Sequence, residues 1–171
     1  MKRELRILKA AFLLSISLAI PVTSHAQVVT ASTAGTAKLP LTTIAEGIVS
    51  SNQKDLLDLV TKAGLMPVLS SAGAYTFFAP SEEGLVQLRS KTPDELKTIL
   101  SQHIVQGNVT TKDMHDGARL KTFGGGSLRI LKKKGAILID GVKITNADQP
   151  FSNGTWHQIN GVLSAPVSTT F

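Results

Sequence analysis

Tyr75 to Glu83 reads YTFFAPSEE, an apolar run that meets a proline, a serine and two acids with no transition. Tyr75, Thr76, Phe77 and Phe78 suit a pleated, half-buried surface, and Pro80 lacks the amide that a continuing ladder requires. Ser81 can accept a bond from the free amides at a helix start, with Glu82 and Glu83 set against the positive end of that helix. The stretch predicts a buried strand that hands over to a helix.

Working outward, Thr43-Ile44-Ala45-Glu46 has the spacing of a capping box, with Ile44 and Ile48 on one side of the short helix it starts. Leu56, Val60 and Ala63 form the apolar face of a second helix, which Gly64 ends. Downstream, Thr92-Pro93-Asp94-Glu95 joins a capping hydroxyl, a first-turn proline and a capping-box glutamate, and Gly107 closes the segment. Leu96, Ile99, Leu100, His103 and Ile104 make its apolar stripe, so His103 faces inward. From Arg119 the period becomes alternating: Leu128 and Ile130, Ile137 and Ile139, Val142 and Ile144, with turns at Lys132 to Gly135 and at Asp140-Gly141. This predicts a C-terminal third of short antiparallel strands. Helices followed by strands give an α+β class.

Residues 1–26 read as a cleavable signal peptide. Lys2, Arg3, Arg6 and Lys9 precede the apolar run Ala10 to Val22, and Ser24 and Ala26 provide the small residues of a cleavage site. Residues 27–40, rich in Thr, Ala, Ser and Gly, read as a flexible leader, 41–167 as the folded domain and 168–171 as a tail. The product is expected to be secreted or periplasmic, with no transmembrane anchor after cleavage. The 171 residues contain no cysteine, which excludes disulfides, thiol catalysis, cysteine-ligated metal and a lipidated cysteine. The net charge of +6 includes four cations and one acid of the signal, so the remainder carries +3. That balance gives no case for nucleic acid.

Three local patterns bring a family into view. Thr76-Phe77-Phe78-Ala79-Pro80-Ser81 resembles the first motif of the fasciclin-like domain family, a strand ending in Phe-Ala-Pro before a helix. Leu100 to Gly107 is similar to its middle motif, Tyr-His followed by aliphatics and a glycine. Asn153-Gly154-Thr155-Trp156-His157 through Leu163 resembles its last block, Asn-Gly, two residues, His and an aliphatic strand. The likeness runs from about Leu41 to Pro166 and implies a wedge of two small β-sheets flanked by several short helices. It implies structural roles for Phe78, Ala79, Pro80, His103, Gly107, Asn153, Gly154 and His157. In animal relatives the Tyr-His segment and an Asp-Ile pair are associated with integrin binding. Here Gln102 replaces the tyrosine and Asp148-Gln149 stands at the second place, so integrin recognition is not carried over.

The remaining candidates weigh toward structure. His103, His115 and His157 are too widely spaced to predict a metal site, and His157 alternates with Thr155 and Ile159 on a strand face. Ser81 and Ser164 lack a nucleophile-elbow context. Gly124-Gly125-Gly126-Ser127 lacks the Gly-Lys-Ser/Thr ending of a phosphate loop and reads as a turn or bulge. Asn108-Val109-Thr110 and Asn153-Gly154-Thr155 fit the glycosylation pattern. Two features point to a partner. Lys132, Lys133 and Lys134 are expected at a hairpin tip, either as a basic contact or as a solvated turn. Trp156, opposite to His157 and beside Gln158, is expected either to be partly exposed or to pack beneath a helix. The expected function is an exported, non-catalytic binding or adhesion module without cofactor, contacting a surface protein or polysaccharide. The alternative is a small-ligand carrier with a pocket between sheets and helices.

Overall fold

A computed structural model describes residues 42–164 of the chain. The expected signal peptide, the leader and the C-terminal tail lie outside these residues. Helices α1 (Ile44–Ser50), α2 (Lys54–Lys62) and α3 (Met66–Ser70) precede β1 (Tyr75–Ala79), which passes through Pro80 into α4 (Glu82–Leu88) and α5 (Pro93–Gln102). Strands β2 (Ile104–Gln106), β3 (Arg119–Lys121), β4 (Ser127–Lys133), β5 (Ala136–Ile139), β6 (Val142–Phe151) and β7 (Gly154–Ile159) complete the order. The junction at YTFFAPSEE is a buried strand followed by a helix whose cap is Ser81, accepting from the amide of Gly84. Thr43/Glu46 and Thr92/Glu95 both close reciprocal capping boxes, on α1 and α5.

The strands run in the order β2-β1-β7-β6-β5-β4-β3. The C-terminal third was expected to be short antiparallel strands, and β3 to β7 pair antiparallel with one another; beyond that expectation, β7 also pairs parallel with β1. The physical reason is the long excursion between them, which returns β7 to the far side of the first strand. Two small sheets were implied by family likeness, and here they share β6. Its first residues pair with β5 and its last with β7, with register shifts between Ile144 and Asn146 and between Asn146 and Gln149. The outermost strands also meet, through a bridge between Val105 and Thr122 and a bond from the amide of Phe123 to the carbonyl of Ile104.

This curled arrangement creates two cores, one on each face of the β1/β7 pair. Phe77, Ala79 and Trp156 turn toward Ile44, Ile48, Leu56, Leu59, Leu96 and Leu100 of the helices. Phe78 and Ile159 turn the other way, toward Val105, Met114, Leu128, Ile130, Ile139 and Leu163. A strand pair covered on both faces is buried over most of its length, as parallel pairs usually are, with Tyr75 and Gln158 half-buried.

Candidate functional site

The residues singled out as a family-type motif converge on the β1/β7 seam and the loop after β2. His103 is the C-terminal cap residue of α5 and is fully buried. Its Nε2 accepts from the amide of Leu163 at 3.0 Å, and its Nδ1 lies 3.0 Å from the carbonyl of Ile99. An amide can only donate and a carbonyl can only accept, so the proton sits on Nδ1 and the ring is neutral. His157 holds the opposite tautomer. The amide of Asp148 donates to its Nδ1 at 3.1 Å, and its Nε2 donates to the carbonyl of Val109 at 2.9 Å. It also stacks on Phe78 with ring centres 5.3 Å apart.

Both environments disfavour the charged ring. Burial pushes the His103 imidazole down to about 4, against the carbonyl of Ile99, which favours the proton. Burial also lowers His157, opposed by the carbonyl of Val109 and the carboxylate of Asp148. Neither ring nitrogen of either histidine is left to take a proton from a substrate. His115 is exposed and apart from them, and among the described residues no three His, Cys, Asp or Glu side chains converge as metal ligands. Ser81 is engaged as a helix cap.

The loop after β2 is held on several sides. Thr76 Oγ1 donates to the carbonyl of Gly107 and accepts from the amide of Val109, both at 2.8 Å. Thr155 Oγ1 donates to Asn108 Oδ1. Asp148 takes the amide of Thr111 at 2.8 Å and the Thr111 hydroxyl as well. Asn153 ties the helices to the β6–β7 turn. Its Nδ2 donates to the carbonyls of Leu69 and Ser71 and its Oδ1 accepts from the amide of Ile44. That amide nitrogen is buried and committed, which removes Asn153 as a glycan acceptor, whereas Asn108 is exposed. Gly154 has φ +152, and a Cβ there would lie 1.7 Å from the carbonyl oxygen of Tyr75. Phe78, Ala79 and Pro80 are buried.

The Gly124-Gly125-Gly126 segment is the β3–β4 turn. A Cβ on Gly124 or Gly126 would come within 2.5 Å of the Gln102 amide. Gln102 is buried there and accepts from Thr122 Oγ1 at 2.8 Å. The side chain that replaces the expected tyrosine is therefore part of the packing, and no sequence spacing pointed to it.

The proposed contact residues do not form one surface. Trp156 is 4% exposed, so of the two readings it takes the one that packs it beneath a helix, and it is no contact residue. It packs edge-on against Phe77 at 5.4 Å and stacks on Phe151 at 5.7 Å, because the helices cover the face of β7 opposite to His157. Gln158 is half-buried on the same strand, its carbonyl accepting from Thr145 Oγ1. Lys132, Lys133 and Lys134 are exposed, but the turn is narrower than expected. Strand β4 runs to Lys133, and only Lys134 (φ 49) and Gly135 (φ 79) make the tight turn. Lys132 and Lys133 therefore point to opposite faces of the hairpin. The surface also has shallow grooves, such as one of about 450 Å³ lined by Gln87, Leu88, Lys91, Ile99, Val162 and Leu163, which is open to solvent.

Comparison with known proteins places this geometry. The chain matches the Fasciclin domain over residues 51–166. It is 30% identical over 115 residues to the fasciclin-like arabinogalactan protein CTB11 of Cercospora beticola, an alignment covering 64% of this chain and 31% of that protein. It is 27% identical over 181 residues to protein sll1483 of Synechocystis sp., covering 98% of this chain and 100% of that one. Among solved structures it is similar to a FAS1 domain pair from the insect cell adhesion molecule fasciclin I. There the TM-score is 0.61 at 20% identity, with 73% of this chain and 51% of that chain covered, a likeness of fold.

Proposed function

Because the chain belongs to the Fasciclin domain family, we propose that it is an exported binding or adhesion module that contacts cell-surface or matrix components and performs no catalysis. The family match over residues 51–166 is the observation that carries this reading. Two further features support it. The side chains most open to a catalytic interpretation, His103 and His157, have both ring nitrogens engaged by backbone groups, and the fold is similar to about half of a FAS1 domain pair from a cell adhesion molecule. Export rests on the basic and apolar leader with small residues at Ser24 and Ala26. Among the described residues no helix is long and apolar enough to cross a membrane. The partner class is a surface protein or a polysaccharide.

The test is a saturable adhesion assay. The chain as exported, labelled and applied to immobilised envelope polysaccharides and surface-protein fractions, should be retained with a measurable Kd. Intact mass of the exported form should correspond to a start at Gln27. Absence of saturable retention on every fraction, or turnover of an ester, glycoside or peptide substrate by the pure chain, would overturn the reading.

A further inference from the structure

Residues Arg119 to Lys143 contain seven Lys or Arg and one acid, Asp140, so the strand hairpins are far more basic than the whole chain. Strand register sorts these charges by face. Directly opposed residues in an antiparallel pair share a face. Arg119 opposes Arg129, Lys121 opposes Ser127, Leu131 opposes Leu138, Lys133 opposes Ala136, and Leu138 opposes Lys143. Leu128, Ile130 and Ile139 belong to the other face and fill the core. Arg119, Lys121, Arg129, Lys133 and Lys143 therefore stand on the outward face of β3 to β6, all exposed, around the half-buried pair Leu131 and Leu138.

Folding does not require this arrangement. Two arginines directly opposed across strands repel one another. Lysines on an edge strand guard against pairing with other chains, but Arg129 lies on β4 where β3 flanks it and Lys143 on β6 between β5 and β7, inside the sheet. Nor are the charges neutralised locally. Among the described residues the ion pairs are Arg89–Asp55 and Lys91–Glu95, both joining the α4–α5 turn to a helix, away from these strands. The bordering carboxylates accept from backbone amides, Asp140 from Arg129 and Asp116 from Lys132, both at 2.7 Å, and neither is in an ion pair with a cation of this face. Arg119 reaches only the hydroxyl of Ser127, at 3.3 Å.

We propose that the outward face of β3 to β6 binds an extended acidic polysaccharide. This rests on the binding-module reading and names its partner class. The cations do not converge on a point, as they would for a single phosphate. They spread over about 20 Å along β4 and about 14 Å across the strands, which suits a chain carrying repeated charges. Two are arginines, whose planar forks match carboxylate or sulfate oxygens in pairs. No aromatic side chain stands at these strand positions to stack on bases, which disfavours a nucleic acid. Leu131 and Leu138 are half-buried rather than exposed, a small apolar floor for sugar rings and too little apolar surface for insertion into a membrane.

Binding of the exported chain to immobilised heparin and to polygalacturonate tests this. Retention should fall steeply with salt, and the combined variant Arg129→Gln, Lys133→Gln, Lys143→Gln should bind about tenfold or more weakly, while Lys54→Gln, Lys62→Gln, Lys97→Gln on the helices stays within about twofold. Lys133→Gln alone, at an exposed site, should weaken binding about twofold to threefold and guards against a folding defect in the triple variant. Equal losses in the strand and helix variants, no retention on either glycan, or tighter binding to anionic-lipid vesicles, an acidic peptide or single-stranded DNA would overturn the proposal. If the chain adheres to surface fractions and the strand variant adheres equally well, this inference fails and the module reading stands. If the wild type adheres to nothing, the module reading itself fails.

Discussion

The two faces of the β1/β7 pair look alike in sequence and meet different halves of the molecule. One face presents Phe77 and Trp156 to a helical layer that is almost wholly aliphatic. The other presents Phe78 and His157 to a curled set of strands, where neutral histidines and threonines hold a loop in place by hydrogen bonds. The outer surfaces differ as well. Residues 42–102, with all five helices, carry seven acids and five bases, against one acid and seven bases in 119–143. The comparison teaches a division of labour: the helical side closes the core, and the strand side both locks itself with polar groups and leaves an open, unneutralised cationic face.

The severest way to break that division is at the seam common to both sides. Gly154 pairs with Tyr75 where a Cβ would collide with backbone, and its φ of +152 excludes other residues without strain. Gly154→Ala should cost on the order of 4 kcal/mol or abolish folding, with both cores lost together. A single cooperative denaturant transition, shifted far down or absent, is the expected result. Two separated transitions would show that the halves fold independently.

A second experiment uses pH to separate the polar locks from the aliphatic layer. The folded pKa of His103 lies near 4, below an unfolded value near 6.5, so between these limits the unfolded chain binds more protons. The stabilising contribution is complete above pH 6.5 and is lost as pH falls toward 4. The integrated effect is roughly 3 kcal/mol, and His157, also lowered, adds in the same direction. Unfolding midpoints at pH 7 and pH 4.5 should therefore differ clearly in the wild type and much less in His103→Leu, even though that variant starts lower. An equal pH dependence in both would show that the histidine is not the titrating group.

These effects also mark what could be read from sequence. Helix starts were legible because their signals are local: Thr43 with Glu46 and Thr92 with Glu95 lie three residues apart and need no partner from elsewhere. The inward face of His103 followed from the helical period. The direction of β7 did not follow, because pairing with β1 joins residues about eighty positions apart and no short-range pattern encodes it. Alternation set Trp156 opposite to His157, but what covers that face depends on distant helices and stayed open. The cationic face was hidden for a related reason, since net charge averages over halves that the fold separates.

A third, smaller comparison sets one exposed carboxylate lock against another. Glu95 closes the α5 capping box, and Asp148 holds Thr111 from a residue with φ 56. Glu95→Ala should lower the unfolding midpoint only slightly, as the loss of an exposed capping-box partner does. Asp148→Ala loses the bonds to Thr111 and also leaves a Cβ-bearing residue without polar compensation in the left-handed region, for about 2 kcal/mol. Faster hydrogen exchange in 108–113 should accompany the second variant and not the first.

The smallest expected effect falls on the residue that looks most important by size. Trp156 is buried, yet its Nε1 has no hydrogen-bond partner among the described residues. Trp156→Phe removes part of a packed ring, which in a core of this kind costs about 1 to 3 kcal/mol through lost contacts and a residual cavity. It also removes a buried donor whose desolvation goes uncompensated, a liability of about 1 to 3 kcal/mol in the opposite sense. The edge contact with Phe77 and the stack on Phe151 are both available to a phenylalanine ring. The two contributions should therefore nearly cancel, leaving stability within about 1 kcal/mol of wild type. Wild-type emission should be blue-shifted and resistant to aqueous quenchers, as burial beneath the helices requires. A loss of 3 kcal/mol or more in Trp156→Phe would mean that the indole nitrogen has a partner, a bound water included, and that the helical side of the molecule contains a polar lock besides Asn153.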